Sequence, residues 1–144
     1  MKHTVSDPIG AVVTDLTVTD LDVDTVEQLR HLLATHGVLA LPGQAIDDAA
    51  FVAFLERFGE LTFTKGETAV EGHPDLNVVS NLGRTTPPRS TFHVDTTYVR
   101  HPPIYTALRA VSIPSRAARR SSPTSTGPTR RWRRTCVTHS TGER

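Results

Sequence analysis

The sequence contains very little cysteine and no long hydrophobic segment. Its single cysteine, Cys136, excludes a disulfide framework or a cysteine-based zinc cluster within one chain. No stretch approaches the roughly 18 consecutive apolar residues of a membrane-spanning helix. The N-terminal segment MKHTVSDPIG lacks the apolar core of a signal peptide. We therefore expect a cytoplasmic protein that has no membrane partner.

Residues 116–144 lack almost every apolar side chain that a core needs. They contain no Leu, Ile, Phe, Tyr or Met, but ten Ser or Thr, eight Arg and one acid, which gives a net charge of +7. Residues 1–115 carry 8 basic and 14 acidic residues, for a net charge of −6. A segment that buries little apolar surface cannot offset its loss of chain entropy. We expect an acidic folded domain over 1–115 and a disordered tail over 116–144.

Two helices are predicted in the first half of the chain. The segment DTVEQLRHLLATHG has Asp24 as an N-cap, with Glu27 three residues later as in a capping box, and Gly37 as its end. Its apolar face is formed by Val26, Leu29, Leu32 and Leu33. The second helix is capped by Asp47 or Asp48 and ends at Gly59. Its stripe of Phe51, Phe54, Leu55 and Phe58 is interpreted as core packing.

The remaining periodic segments are typical of strands. They are Ala11–Val18, Gly37–Gly43, Asp75–Asn81, and the segments TFHVDTTYV and IYTALRAVSI on either side of RHPP. No internal repeat is visible. The predicted content of residues 1–115 is therefore two early helices followed mainly by strands.

The segment TFHVDTTYV contains a candidate pair of metal ligands, His93 and Asp95. Side chains on a strand alternate between its faces, so these two residues project from the same face. Two histidines and one carboxylate form the iron site of non-haem Fe(II) oxygenases. The triplet H-x-D is a weak signal by itself, because two solvated polar residues on an edge strand give the same pattern.

The setting of this triplet resembles the TauD/TfdA family of Fe(II)- and 2-oxoglutarate-dependent dioxygenases. The similar segments are GAVVTDL (10–16), HGVLALPGQAIDDAAFVAFLERFGEL (36–61), HPDLNVVSN (73–81) and FHVDTTYVRHPPIYTALRAVSIP (92–114). They occur in the family's order and together extend over most of residues 10–115. Several patterns in order are more specific than any one of them.

The resemblance implies an α+β fold, namely an incomplete double-stranded β-helix (jelly roll) with two flanking helices. It implies Fe(II) bound by His93 and Asp95, with 2-oxoglutarate as co-substrate. The expected reaction hydroxylates a small-molecule substrate with O2 and forms succinate and CO2. Related enzymes often form homo-oligomers, so a homo-oligomer is a further expectation.

Two other polar residues near the triplet have alternative interpretations. Asn81 either caps a turn, which we favour, or faces the substrate pocket. His101 precedes Pro102, so a surface position is expected rather than a role as third ligand. The other histidines before residue 100, His3, His31, His36 and His73, show no ligand spacing.

The resemblance ends near residue 115. The family pattern continues with a Gly-Gly-x-Thr segment and a helix, then the second iron histidine and an arginine for 2-oxoglutarate. This chain instead continues with SRAARRSSPTSTGPTRRWRRTCVTHSTGER. Nothing around His139 matches the distal motif, so the third ligand and the arginine are expected to be absent.

The composition of the tail is typical of GC-rich coding DNA read in the wrong frame. With suitable synonymous codons, Arg116 to Glu143 can be back-translated so that another frame reads GGATLFTDLYRAYEALAEDVRDALDGR. This peptide contains the expected Gly-Gly-x-Thr segment followed by an amphipathic helix. The hypothesis is a frameshift near codons 115–116, which predicts a truncated enzyme of little or no activity.

Two alternatives to a dioxygenase are left open. The segment RRWRR places an aromatic residue among arginines, as in proteins that bind nucleic acids. The acidic residues 1–115 offer no continuing basic surface, which argues against that partner. The other alternative is a catalytically dead remnant that binds metal or associates with other proteins.

Overall fold

A computed structural model describes residues 1–62, 68–80, 100–112 and the backbone of 134–139. These residues form two helices and seven strands. In chain order they are β1 (Lys2–Val5), β2 (Ala11–Thr14), α1 (Val23–His36), β3 (Val38–Leu41), α2 (Asp48–Glu56), β4 (Ala69–Val70), β5 (His73–Asn77), β6 (Tyr105–Ala110) and β7 (Arg134–His139). In the described part of the chain, no helix is long and apolar enough to cross a membrane.

The larger sheet is mixed and has the strand order β1-β2-β3-β7-β6. β1 pairs antiparallel with β2, whereas β2 with β3, β3 with β7 and β7 with β6 are parallel pairs. β4 and β5 form a separate antiparallel ribbon. The content is α+β, as predicted. A jelly roll is built from antiparallel strands in two sheets, so the parallel pairing found among the described residues does not confirm that architecture.

The core lies between the helices and the inner strands. Its fully buried side chains come from β2, α1, β3 and α2, and the largest are Phe54, Leu29, Leu33, Leu39, Leu41 and Val13. The predicted apolar face of α1 is confirmed, because Val26, Leu29, Leu32 and Leu33 are all buried. Of the predicted stripe on α2, Phe51 and Phe54 are buried, and Leu55 and Phe58 pack partly buried against the core.

The N-cap of α1 differs from the sequence prediction. The cap is Asp22, whose backbone is extended and whose side chain accepts a hydrogen bond of 2.7 Å from the backbone N–H of Thr25. Asp24, the predicted cap, lies inside the first turn. Aspartate is a favoured N-cap residue at either position. An N-cap residue has an extended backbone, and Asp22 has this conformation.

The backbone conformation of single residues accounts for where α1 and β2 end. Gly37 caps α1 with a φ of 75°, as predicted, and its N–H donates to the carbonyl of Leu33 at 2.9 Å. β2 ends four residues before the predicted Val18, because Asp15 has a φ of 58°, which interrupts a strand. Helix α2 is capped by Asp47, one of the two predicted residues. It ends at Glu56, before the predicted stop at Gly59.

The tail contributes one strand that the sequence did not predict. A disordered tail over residues 116–144 stays a prediction, and of this segment the structure describes only the backbone of Arg134–His139, which forms β7. This strand lies between β3 and β6 and pairs with both. Its order therefore comes from its neighbours on either side, since an isolated strand has no partner for its backbone groups.

Candidate metal centre

The predicted iron ligands and the predicted substrate contact lie outside the described residues. His93, Asp95 and Asn81 all belong to residues 81–99, so their geometry stays a prediction. Within the described part of the chain, no group of three or more His, Cys, Asp or Glu side chains is arranged to hold a metal ion.

The described histidines do not cluster with other metal-binding side chains of the described residues. His101 is exposed at a bend before β6, which confirms the predicted surface position. His3 and His31 are exposed, and His36 lies half-buried at the last turn of α1. The rings of His3 and His36 are 6.4 Å apart at their centroids, and no third metal-binding side chain joins them among the described residues.

The strand that follows the predicted ligand segment is anchored to α2 by Arg109. Its Nη1 donates to the backbone carbonyl of Ile46, and its Nη2 pairs with the carboxylate of Asp48. The Arg109 side chain is only 13% exposed, and its guanidinium lies 5.6 Å from the ring centroid of Phe51. Two charge-assisted hydrogen bonds and a ring face therefore fix the position of β6 against the start of α2.

Aromatic packing holds the beginning of the same strand. Tyr105 lies edge-on to Phe58 at 5.9 Å, and Phe58 lies edge-on to Phe54 at 5.2 Å. Arg30 of α1 covers Phe58 at 5.6 Å, and its Nη2 donates to the backbone carbonyl of Arg57 at 2.9 Å. This cluster connects α1 and α2 with β6, which is the first described strand after His93 and Asp95 in the sequence.

Gln44 is the only polar residue that is buried in the described part of the chain. Its Oε1 accepts from the N–H of Val18 at 3.0 Å, and its Nε2 donates to the carbonyls of Leu16 at 2.8 Å and Pro42 at 3.2 Å. The amide thus satisfies backbone groups in the segment after β2 and in the turn after β3.

Sequence reasoning singled out neither Arg109 nor Gln44. A signal was present for Arg109, because a lone cation within the apolar strand YTALRA requires a partner if the strand is buried. Gln44 follows a Pro-Gly turn, where a polar residue ordinarily faces solvent. The Gln44 amide is buried because residues 16–18 pack against this turn and form hydrogen bonds with it.

The described surface includes a larger and a smaller depression. The larger, of about 580 Å³, is an open hollow between β1 and α1 and includes His3, Asp24, Glu27 and His31. The smaller, of about 210 Å³, lies between the segment after β2 and α2, and Arg57 forms part of its wall. Neither hollow contains a ligand set for a metal among these residues.

Comparison with known proteins identifies the family. No solved structure matches the chain. The sequence does match the family described as Taurine catabolism dioxygenase TauD, TfdA family, and the match covers residues 2–119. This range contains every described helix and strand except β7, and it includes the H-x-D triplet. It ends four residues beyond the predicted boundary at 115. The chain therefore belongs to the TauD/TfdA family of dioxygenases.

Proposed function

We propose that His93 and Asp95 are two ligands of an Fe(II) site that this chain has in common with 2-oxoglutarate-dependent dioxygenases. The observation that carries the proposal is the family match over residues 2–119, which includes the triplet. An imidazole and a carboxylate at alternate positions of a strand suit iron, which accepts nitrogen and oxygen ligands. When bound, Fe(II) and 2-oxoglutarate supply the oxidising chemistry by which O2 hydroxylates a small molecule, with succinate and CO2 as products.

The donor set fits this site only in part. A facial triad needs two histidines and one carboxylate, and the sequence supports one of each. His139 lacks the family's distal motif, and no arginine in the tail has a matching context for 2-oxoglutarate. We accordingly expect weak iron binding and little or no dioxygenase activity from the 144-residue chain.

Each matched residue has a definite task in this proposal. His93 and Asp95 bind the metal through one nitrogen and one carboxylate oxygen. Asn81 is the candidate substrate contact, with its side-chain amide available to orient a polar group, although a turn cap is the alternative. Strand β6, which follows the ligand segment in the chain, is itself held against α2 and Phe58 by Arg109 and Tyr105.

Anaerobic titration with Fe(II) tests the ligand assignment. We expect His93→Ala and Asp95→Ala each to weaken binding by at least about tenfold, since even outer-shell changes at metal sites cost 10–100-fold. His101→Ala is the matched control, because this histidine is exposed and lies just before β6. Equal iron binding by the wild type and all three variants would remove the basis of the assignment.

The proposal also includes the frameshift near codons 115–116. It is supported by the simultaneous loss of aliphatic residues, of charge balance and of the family pattern in residues 116–144. The family match ends at residue 119, close to this boundary. The nucleotide sequence of the gene decides the matter: the downstream DNA should encode the rest of a dioxygenase in another frame. If no frame of the downstream DNA encodes the rest of a dioxygenase, the frameshift did not occur.

A further inference from the structure

Strand β7 occupies the middle of the five-stranded sheet but comes from outside the family match. The match ends at residue 119, whereas β7 spans Arg134–His139. The other four strands of this sheet all lie within residues 2–119. The part of the chain that belongs to the family therefore leaves a gap between β3 and β6, and a segment from elsewhere fills it.

The pairing of β7 is continuous on both sides. Thr135–Thr138 align with Val38–Leu41 of β3, and Arg134–His139 align with Tyr105–Ala110 of β6, without a register shift. Strands two positions apart in a sheet are separated by about 9–10 Å, which is the width that one extended strand fills. Both edges of the gap thus present backbone N–H and C=O groups in register with a single parallel strand.

The two walls of the gap have contacts of their own besides the pairing with β7. β3 is a core strand whose Leu39 and Leu41 are almost completely buried. β6 is fixed by the contacts of Arg109 with Asp48 and of Tyr105 with Phe58. A gap between two strands that have such anchors needs less reorganisation to accept a strand, and main-chain hydrogen bonds supply most of the affinity in such strand addition.

Residues 111–133 join β6 to β7, which is 23 residues of chain. A parallel connection requires a dozen or more residues, so this length suffices for the pairing within one chain. The same length lets the segment reach the equivalent gap of a second molecule, where it would form the same pairs.

We propose that the gap between β3 and β6 is an exchangeable strand-binding site, and that its occupant in trans is the Arg134–His139 segment of a second copy of this chain. Within one molecule the segment closes the sheet. Between two molecules, reciprocal exchange of the segment gives a strand-swapped dimer whose population rises with protein concentration. The pairing depends on backbone groups, so it does not require that the tail sequence evolved for this purpose.

The first test uses the wild-type chain and a fluorescent synthetic peptide of residues 132–141. We expect the peptide to bind the chain saturably. In sedimentation experiments the chain should form a dimer as its concentration rises, and excess peptide should convert this dimer to monomer. The control peptide carries proline at the position of Val137, which pairs with Ala40 and Leu108 on the two sides. Proline removes a donor and breaks the ladder, so this peptide should bind at least about tenfold more weakly.

The second test places Val137→Pro in the full chain and measures backbone hydrogen exchange. We expect faster exchange in β3 and β6, unchanged exchange in α1 and β1, and recovery when the wild-type peptide is added. Val137→Thr, which keeps a β-branched residue, should behave as the wild type. Either of two results would overturn the proposal: equal binding of the two peptides to the wild-type chain, or a wild type that stays monomeric at every concentration.

Discussion

The Oε1 atom of Gln44 accepts a hydrogen bond of 3.0 Å from the backbone N–H of Val18, and both residues are buried. The Nε2 atom of the same amide donates to the carbonyl of Leu16 at 2.8 Å. One side chain therefore satisfies both a donor and an acceptor of the segment that follows β2. This segment runs beside the turn after β3 without forming a strand, so its backbone has no ladder to satisfy these groups.

Replacement of Gln44 by Ala should lower the free energy of unfolding by about 1–3 kcal/mol for each backbone group left buried and unpaired. Urea unfolding followed by circular dichroism measures the change. Gln28→Ala is the matched control, because Gln28 is exposed on α1 and should change stability by less than about 0.5 kcal/mol. Equal stabilities of the two variants would contradict the role given to the Gln44 amide.

Leu33→Ala should destabilise the protein by about 2–5 kcal/mol, since Leu33 is fully buried and its truncation leaves a cavity. Val23→Ala on the same helix is the control, because Val23 is 69% exposed and lies at the first position of α1. The difference between the two variants in thermal unfolding tests the position of the core. A large loss from Val23→Ala would show that the helix faces have been assigned wrongly.

The Arg109–Asp48 pair should show measurable coupling in a double-mutant cycle with Arg109→Met and Asp48→Asn. Coupling energies of about 0.5–3 kcal/mol are usual for residues in direct contact, and Arg109 is largely shielded from water. The exposed pair of Lys2 and Asp15, 2.9 Å apart, is the comparison and should couple by less than about 1 kcal/mol. Additive effects of the two substitutions would mean that the guanidinium acts only through Ile46 and Phe51.

The cap of α1 predicts a pH dependence of helix stability. The hydrogen bonds from the side chain and backbone N–H of Thr25 hold the pKa of Asp22 below its ordinary value of 3.8. A carboxyl group whose pKa is lowered by folding stabilises the folded state above its unfolded pKa. This stabilisation disappears as the pH falls from near 3.8 through the lower folded value. Helix content by circular dichroism, measured between pH 7 and pH 2, reports the change.

Asp22→Asn separates this cap from other acid effects. Asparagine caps helices as well as aspartate but does not titrate, so the variant should keep α1 at neutral pH and lose part of the acid-induced change. Asp20→Asn, outside the helix, should leave that change as in the wild type. An identical acid transition in Asp22→Asn and the wild type would assign the pH dependence to other carboxyl groups.

Substrate-dependent succinate formation by the purified chain should be absent or very small. The physical reason lies in the proposed site, in which His93 and Asp95 are the only protein ligands, because two protein ligands bind iron more weakly than three. The measurement supplies Fe(II), 2-oxoglutarate and ascorbate anaerobically before O2 is admitted, with His93→Ala as the blank. Robust turnover that depends on His93 would show that the third ligand is present after all.

The local patterns predicted both helices well and their boundaries less well. The spacing of Val26, Leu29, Leu32 and Leu33 placed the buried face of α1, since a 3.6-residue period is a property of the chain itself. The prediction of Asp24 as the cap was wrong, because Asp22 is also an aspartate just before the helix and can cap it equally well. The extended backbone of Asp22 identifies it as the cap, and a sequence pattern does not contain the backbone conformation of a residue.

The sequence by itself determined the family and the apolar faces of the two helices, and it predicts His93 and Asp95 as ligands of the candidate iron site. It did so because residue type, spacing and segment order are all carried along the chain. Only the tertiary structure decided that Gln44 would be buried, that Arg109 would anchor β6 to α2 and that Arg134–His139 would enter the sheet between β3 and β6. Each of these depends on contacts between segments that are far apart in the chain. A local sequence pattern does not specify which distant segment will bury a polar group or pair with a strand.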